Sequence, residues 1–150
     1  MNAFESTTVQ RVLLVGNNPI ELSDIHETMK KSRKVQFESD FVFDVGDLAK
    51  RLSRFNPDYI VIDDNLGKKD LNRVFKLLRN DSATASIPIT IVQNSNIDNL
   101  PREGADEFIL KNNVTPKSLT RALFNSLKVH EMRNYLRQSY LKRKQKLAFK

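Results

Sequence analysis

The chain has 150 residues, a length that fits one domain with a tail, and Lys+Arg 25 against Asp+Glu 18 gives it a net charge of +7. Hydrophobic residues at 39% can build a core, Gly 4 and Pro 5 exclude fibrous and low-complexity classes, and zero cysteines exclude a disulfide framework, a thiolate zinc site and a cysteine nucleophile. The charge is uneven: residues 117–150 hold ten basic residues and one acid, a charge of +9, and residues 1–116 carry −2.

Met1 to Gln10 is polar and is taken as a leader of residues 1–10 without a signal-peptide core. Arg11 to Val15 is a short apolar, β-branched run and reads as a buried strand. It ends at Gly16-Asn17-Asn18-Pro19, where the proline suits a first helical turn, and Ile20, Leu22, Ile25 and Met29 continue a helix over 19–31. Val35 to Phe43 alternates less cleanly and gives a weaker strand. Asp44 or Asp47 can cap the next helix, which carries Leu48, Leu52 and Phe55 and stops before Pro57.

Tyr59 to Ile62 is a second buried run, ending at Asp63-Asp64-Asn65, and Leu71, Val74, Phe75 and Leu78 predict a helix over 69–80. Pro88 to Val92 and Glu107 to Leu110 are two further strands, closed by Gln93-Asn94-Ser95 and by Lys111. From Thr115 onward Leu119, Ala122, Leu123 and Leu127 trace a helical face. Strands alternating with helices predict a parallel sheet covered on both faces. Ligands and chemistry on such sheets gather beyond the carboxyl ends of the strands. Here that rim carries Asn17, Asn18, Asp63, Asp64, Asn65, Gln93, Asn94 and Lys111, so an acid and a lysine meet at one edge.

Pro57 to Leu66 (PDYIVIDDNL), Gly104 to Lys111 (GADEFILK) and Arg11 to Pro19 stand in an order that resembles the receiver domain of two-component response regulators. The resemblance covers about residues 10–127. It implies an α/β, flavodoxin-like fold: a doubly wound, five-stranded parallel sheet in the order 2-1-3-4-5. It also implies a phosphoacceptor at Asp63 and a phosphoryl-contacting lysine at Lys111. The family's Mg²⁺-holding acidic pair falls on Gly16 and Asn17, with Asn18 following, and neither position is acidic. The Ser/Thr switch position falls on Gln93, its small neighbour on Asn94, and the aromatic switch position on Phe108.

Mg²⁺ is a hard cation that prefers carboxylates and neutralises charge during phosphoryl transfer. With the acidic pair gone, only Asn17, Asp63 and the Asn65 carbonyl remain as ligands, and weak or absent Mg²⁺ binding is expected. Asp64 is not expected to substitute, because neighbouring strand residues point to opposite faces. Two readings of Asp63 and Lys111 stay open: a direct ion pair acting as a structural latch, and residual phosphorylation of Asp63. Only ten residues, Asn94 to Glu103, separate Gln93 from Gly104, and Pro101 sits among them, so a shortened fourth helix is expected.

The division is a receiver-like domain over 11–128 and a basic helical extension over 129–150. A continuous helix from Pro116 to about Lys142 would leave Val129, Met132, Tyr135, Leu136, Tyr140 and Leu141 partly unburied. Three readings of that extension remain open. It is a protein-interaction helix, including a homodimer; a nucleic-acid contact through Arg133, Arg137, Lys142, Arg143, Lys144 and Lys146 with Tyr135 and Tyr140 stacking; or a solvated helix with a frayed end. No DNA-reading module follows the receiver-like part, and nucleic acid is not the expected partner.

His26 and His130 lack metal-ligand spacing, and no Gly-rich phosphate loop or nucleophile–base pair is present, so neither an enzyme nor a resident cofactor is expected. No apolar run reaches the roughly 18–20 residues of a membrane span. The expectation is a cytoplasmic pseudo-receiver in phosphorelay-type signalling. It would contact a protein partner such as a histidine kinase or a downstream effector.

Overall fold

The computed structural model describes residues 8–94 and 104–148. Residues 1–7 of the leader and the segment after Asn94, where the shortened fourth helix is expected, lie outside the described residues.

Five strands, β1 (Val9–Val15), β2 (Gln36–Val42), β3 (Tyr59–Asp63), β4 (Ile89–Gln93) and β5 (Glu107–Leu110), form one sheet in the order β2-β1-β3-β4-β5. All four pairings are parallel. The helices are α1 (Pro19–Lys30), α2 (Leu48–Phe55), α3 (Lys68–Asn80), a single turn α4 (Ser82–Ala85), and α5 (Pro116–Ala148). The predicted order of strands and the predicted long last helix are both present. β1 begins two residues inside the expected leader. α5 runs unbroken to Ala148, past the expected end near Lys142 and across the division drawn at 128.

Period-2 alternation sorts the sheet residues into two cores. Leu13, Val15, Ile60, Ile62, Ile89 and Ile91 face the side covered by α2 and α3. Val12, Leu14, Tyr59, Val61 and Val92 face α1 and α5, where Leu22, Ile25, Met29, Leu119 and Leu123 meet them. Ile20, counted with the α1 face in the sequence, is 75% exposed. It lies in the first turn of α1, beyond the carboxyl end of β1, and is not covered by the described strands. Asp44 caps a 3-10 turn over Val45–Asp47 by accepting from the Gly46 amide, while Asp47 makes no side-chain cap.

α4 is unanticipated. Asp81 caps it by accepting from the Ala83 amide, 2.9 Å away. Its Thr84 hydroxyl donates to the Leu78 carbonyl at 2.7 Å.

A buried acid ties α5 to the sheet. Asp106, at the entry to β5, accepts from the Ile89 amide at 2.8 Å, from Arg79 at 3.3 Å and from Arg133 at 3.3 Å. His130 Nδ1 lies 3.2 Å from the same carboxylate. Arg79 also donates to the carbonyls of Ala85, Ile87 and Gly104. A buried charge needs such company, because an unpaired one costs several kcal/mol.

Candidate functional site

The carboxyl ends of β1, β3, β4 and β5 form the rim. Residues 59, 61 and 63 share one side of β3, so Asp63 points to the α1 side of the sheet. Gly16 faces it from just past the end of β1. A Cβ at Gly16 would stand 3.1 Å from the Asp63 Cβ and 3.1 Å from Leu22 Cδ2. The family's acidic position is therefore closed by a close approach, and glycine suits it because it has no side chain to place there.

Asp63 is 1% exposed. Its Oδ1 accepts from the Asn65 amide at 3.0 Å and from the Asn94 side-chain amide at 2.7 Å. Its Oδ2 is buried without a partner. Burial pushes the Asp63 carboxyl up to about 6, and the neighbouring Glu21 carboxylate adds to the rise. The Asn65 and Asn94 donors oppose that shift by favouring the charged form.

Glu21 is the rim residue that motif reading missed. It sits in the first turn of α1, set there by Asn18, whose side-chain oxygen accepts from the Ile20 and Glu21 amides at 3.0 and 3.3 Å. Asn18 is thus the cap of α1. Glu21 accepts from Lys111 and from the Asn65 side-chain amide. The Lys111 ammonium holds Glu21 below the usual carboxylate range. The sequence signal was available as an acid in the first turn after an Asn-Pro cap, and it also reads as ordinary helix-dipole complementarity.

Lys111 does not pair with Asp63. Its partner is Glu21, so the direct Asp63–Lys111 latch is corrected to a chain running from Asp63 to Glu21 to Lys111. The expectation for Asp64 also changes. β3 ends at Asp63 and a 3-10 turn begins at Asp64, so strand alternation no longer applies. Asp64 accepts from the Asn94 backbone amide at 3.2 Å, and the Asn94 side-chain amide bridges Asp63 and Asp64. The residue at the small switch-neighbour position is therefore a crosslink between two carboxylates.

The remaining site positions fall as follows. The Asn17 side chain donates to the Asn65 carbonyl at 3.1 Å, so two candidate metal ligands satisfy each other. Gln93 ends β4 and is buried, paired in register with Leu110. Phe108 is half-buried, opposite Ile91 in the sheet, and packs against the core on the α2 and α3 side. In the tail, Arg133 is bound to Asp106 and to the Ala105 carbonyl, and Arg137 lines a cavity of about 590 Å³ with Arg79. Lys142, Arg143, Lys144 and Lys146 are exposed on the projecting part of α5.

These donors do not fit Mg²⁺ in this arrangement, which demands near-octahedral oxygen ligands. One Asp63 oxygen is occupied by two N–H donors and the other is buried. Glu21 is engaged by Lys111 and Asn65, and the Asn65 carbonyl by Asn17. Among the described residues no group of three or more carboxylates or histidines could hold a metal ion.

The sequence matches no family model, and no curated protein matches it. Solved structures do. A response regulator from Desulfuromonas acetoxidans is 20% identical, with 80% of this chain and 98% of that chain covered at a TM-score of 0.64. The chemotaxis response regulator CheY4 of Vibrio cholerae is 19% identical, with 80% and 100% covered at a TM-score of 0.63. A yeast Spc42 trimeric coiled-coil segment fused to another structure is 15% identical, with 93% and 94% covered at a TM-score of 0.68. The fold is therefore that of response regulator receiver domains.

Proposed function

We propose that this chain is a pseudo-receiver: a receiver-fold signalling module that works by protein–protein contact and whose metal-dependent phosphorylation is impaired. The observation that carries this reading is the partner of Lys111. In the receiver arrangement that the motifs imply, this lysine serves a phosphoryl group on the aspartate. Here it is bonded to Glu21, while the Asp63 oxygen that lacks a partner is buried. A phosphodonor would have to reach an inaccessible, partly protonated carboxyl while the rim lysine, Lys111, is engaged by Glu21.

The contact element is the projecting part of α5. Met132, Leu136, Tyr140 and Leu147 are all exposed and fall within an arc of about 80° at 3.6 residues per turn. A cytoplasmic kinase or effector, or a second copy, would cover that face. Among the described residues no helix is long and apolar enough to cross a membrane.

The test is incubation with Mg²⁺ and acetyl phosphate followed by intact mass measurement. No phosphate adduct is expected. A stoichiometric adduct that disappears in Asp63→Asn would overturn the reading in favour of a working single-domain response regulator.

A further inference from the structure

The basic character of the chain extends beyond the tail. Lys31, Arg33 and Lys34, hidden by sequence within a near-neutral body, follow the end of α1 on the way to β2. The fold sets them across a groove from Lys117, Arg121 and Lys128 of α5. The groove has a volume of about 640 Å³, and no carboxylate is among its lining residues. Phe124, 37% exposed, lies in the same groove.

The cationic surface continues along α5. At 3.6 residues per turn, Lys117, Arg121, Phe124, Lys128, Tyr135, Ser139, Lys142 and Lys146 lie within an arc of about 60°. Five of these eight are cations and two are aromatic rings, with no acid among them. Glu131, the one acid of residues 117–150, stands at the edge of the arc beside Tyr135. The stripe from Lys117 to Lys146 is about 44 Å long at 1.5 Å per residue. It adjoins the Met132–Leu136–Tyr140 face, with Met132 on the boundary beside Lys128 and Tyr135.

We infer that this groove and stripe bind single-stranded nucleic acid. A compact polyphosphate would fill the groove and leave the remaining length of cations unused, whereas an extended polyanion matches all of it. Interleaved aromatic rings supply what a phosphate backbone alone does not need, a stacking surface for bases. Two copies of this chain would repel along the same face, which removes self-association as its occupant. The inference is independent of the phosphorylation reading, since no rim residue takes part.

The test uses the full chain and a fluorescein-labelled 20-nucleotide oligo(dT), read by fluorescence anisotropy. Binding is expected to weaken about 50-fold between 50 and 200 mM salt if four cations meet phosphates, from a slope of about −0.7 per contact on single strands. R121Q/K128Q and R33Q/K34Q should each weaken binding at least fivefold. R137Q/K144Q, on the other side of α5, should change it less than twofold. F124L/Y135L, which keeps the apolar bulk at both ring positions, should remove the preference for oligo(dT) over an abasic strand of equal length, and F124L alone should reduce it. Three results would each overturn the inference. They are equal losses from all three double variants, displacement of the strand by poly-glutamate at matched charge, and tighter binding to phosphatidylserine vesicles than to the strand.

Discussion

Asp63→Asn is expected to make the protein more stable at neutral pH, and the size of the gain follows from the burial of the side chain. The native carboxyl titrates at about 6 against an ordinary value of 3.8. Between those two pH values the native state binds more protons than the unfolded chain, so stability falls as pH rises through this window and is level above it. A difference of about two pKa units, at 1.36 kcal/mol per unit, sets a ceiling of ~3 kcal/mol on the cost of the ionised group. Asparagine keeps an acceptor for the Asn65 and Asn94 donors and turns an N–H₂ toward the Glu21 side, where the orphan Oδ2 now lies. Urea unfolding of both proteins from pH 4 to pH 8 should show a difference of roughly 1–3 kcal/mol above pH 6.5 that shrinks toward zero near pH 4. The melting temperature at pH 7.5 should rise by roughly 2–12 °C, at about 2–4 °C per kcal/mol for a chain of this size. A loss of stability at pH 7.5, or a difference that does not vary with pH, would refute the argument that burial and Glu21 set the charge state of Asp63.

Glu21→Gln removes the neighbouring negative charge and releases Lys111, so the carboxyl carbon of Asp63, followed by NMR, should titrate below 6 instead of near it. Gly16→Asp presses a Cβ into contacts of 3.1 Å with Asp63 and Leu22, and should cost about 1–3 kcal/mol in urea unfolding. Asp106→Ala leaves Arg79 and Arg133 without their shared carboxylate and should cost about 3–5 kcal/mol, with earlier proteolytic cleavage of α5 after His130.

Much of the fold was legible because both faces of the central strands are buried. Leu13, Leu14, Ile60, Val61 and Ile62 must all be apolar when helices cover a sheet on two sides, and such runs stand out in a sequence. β2 was weaker in the sequence because it is an edge strand, with only Val42 fully buried. The turn α4 left no apolar period to read, since none of its residues is buried. Of the rim, Asp63 and Lys111 were legible as strand-terminal residues in motifs. Glu21 was not, because a first-turn acid has a sufficient local explanation and its partners lie 44 and 90 positions away.

The sequence by itself determined the sheet, its helical layers and the place of the rim. Those follow from local pattern: period 2 in strands, near 3.6 in helices, and residue type at strand ends. Tertiary structure alone decided which charges meet. It brought Glu21 between Asp63 and Lys111, closed position 16 against Asp63, gathered Arg79, His130 and Arg133 on Asp106, and set Lys31–Lys34 beside α5. Ionic contacts are made through space by side chains of any sequence separation, so their pairing is fixed only when the packed layers have fixed the distances.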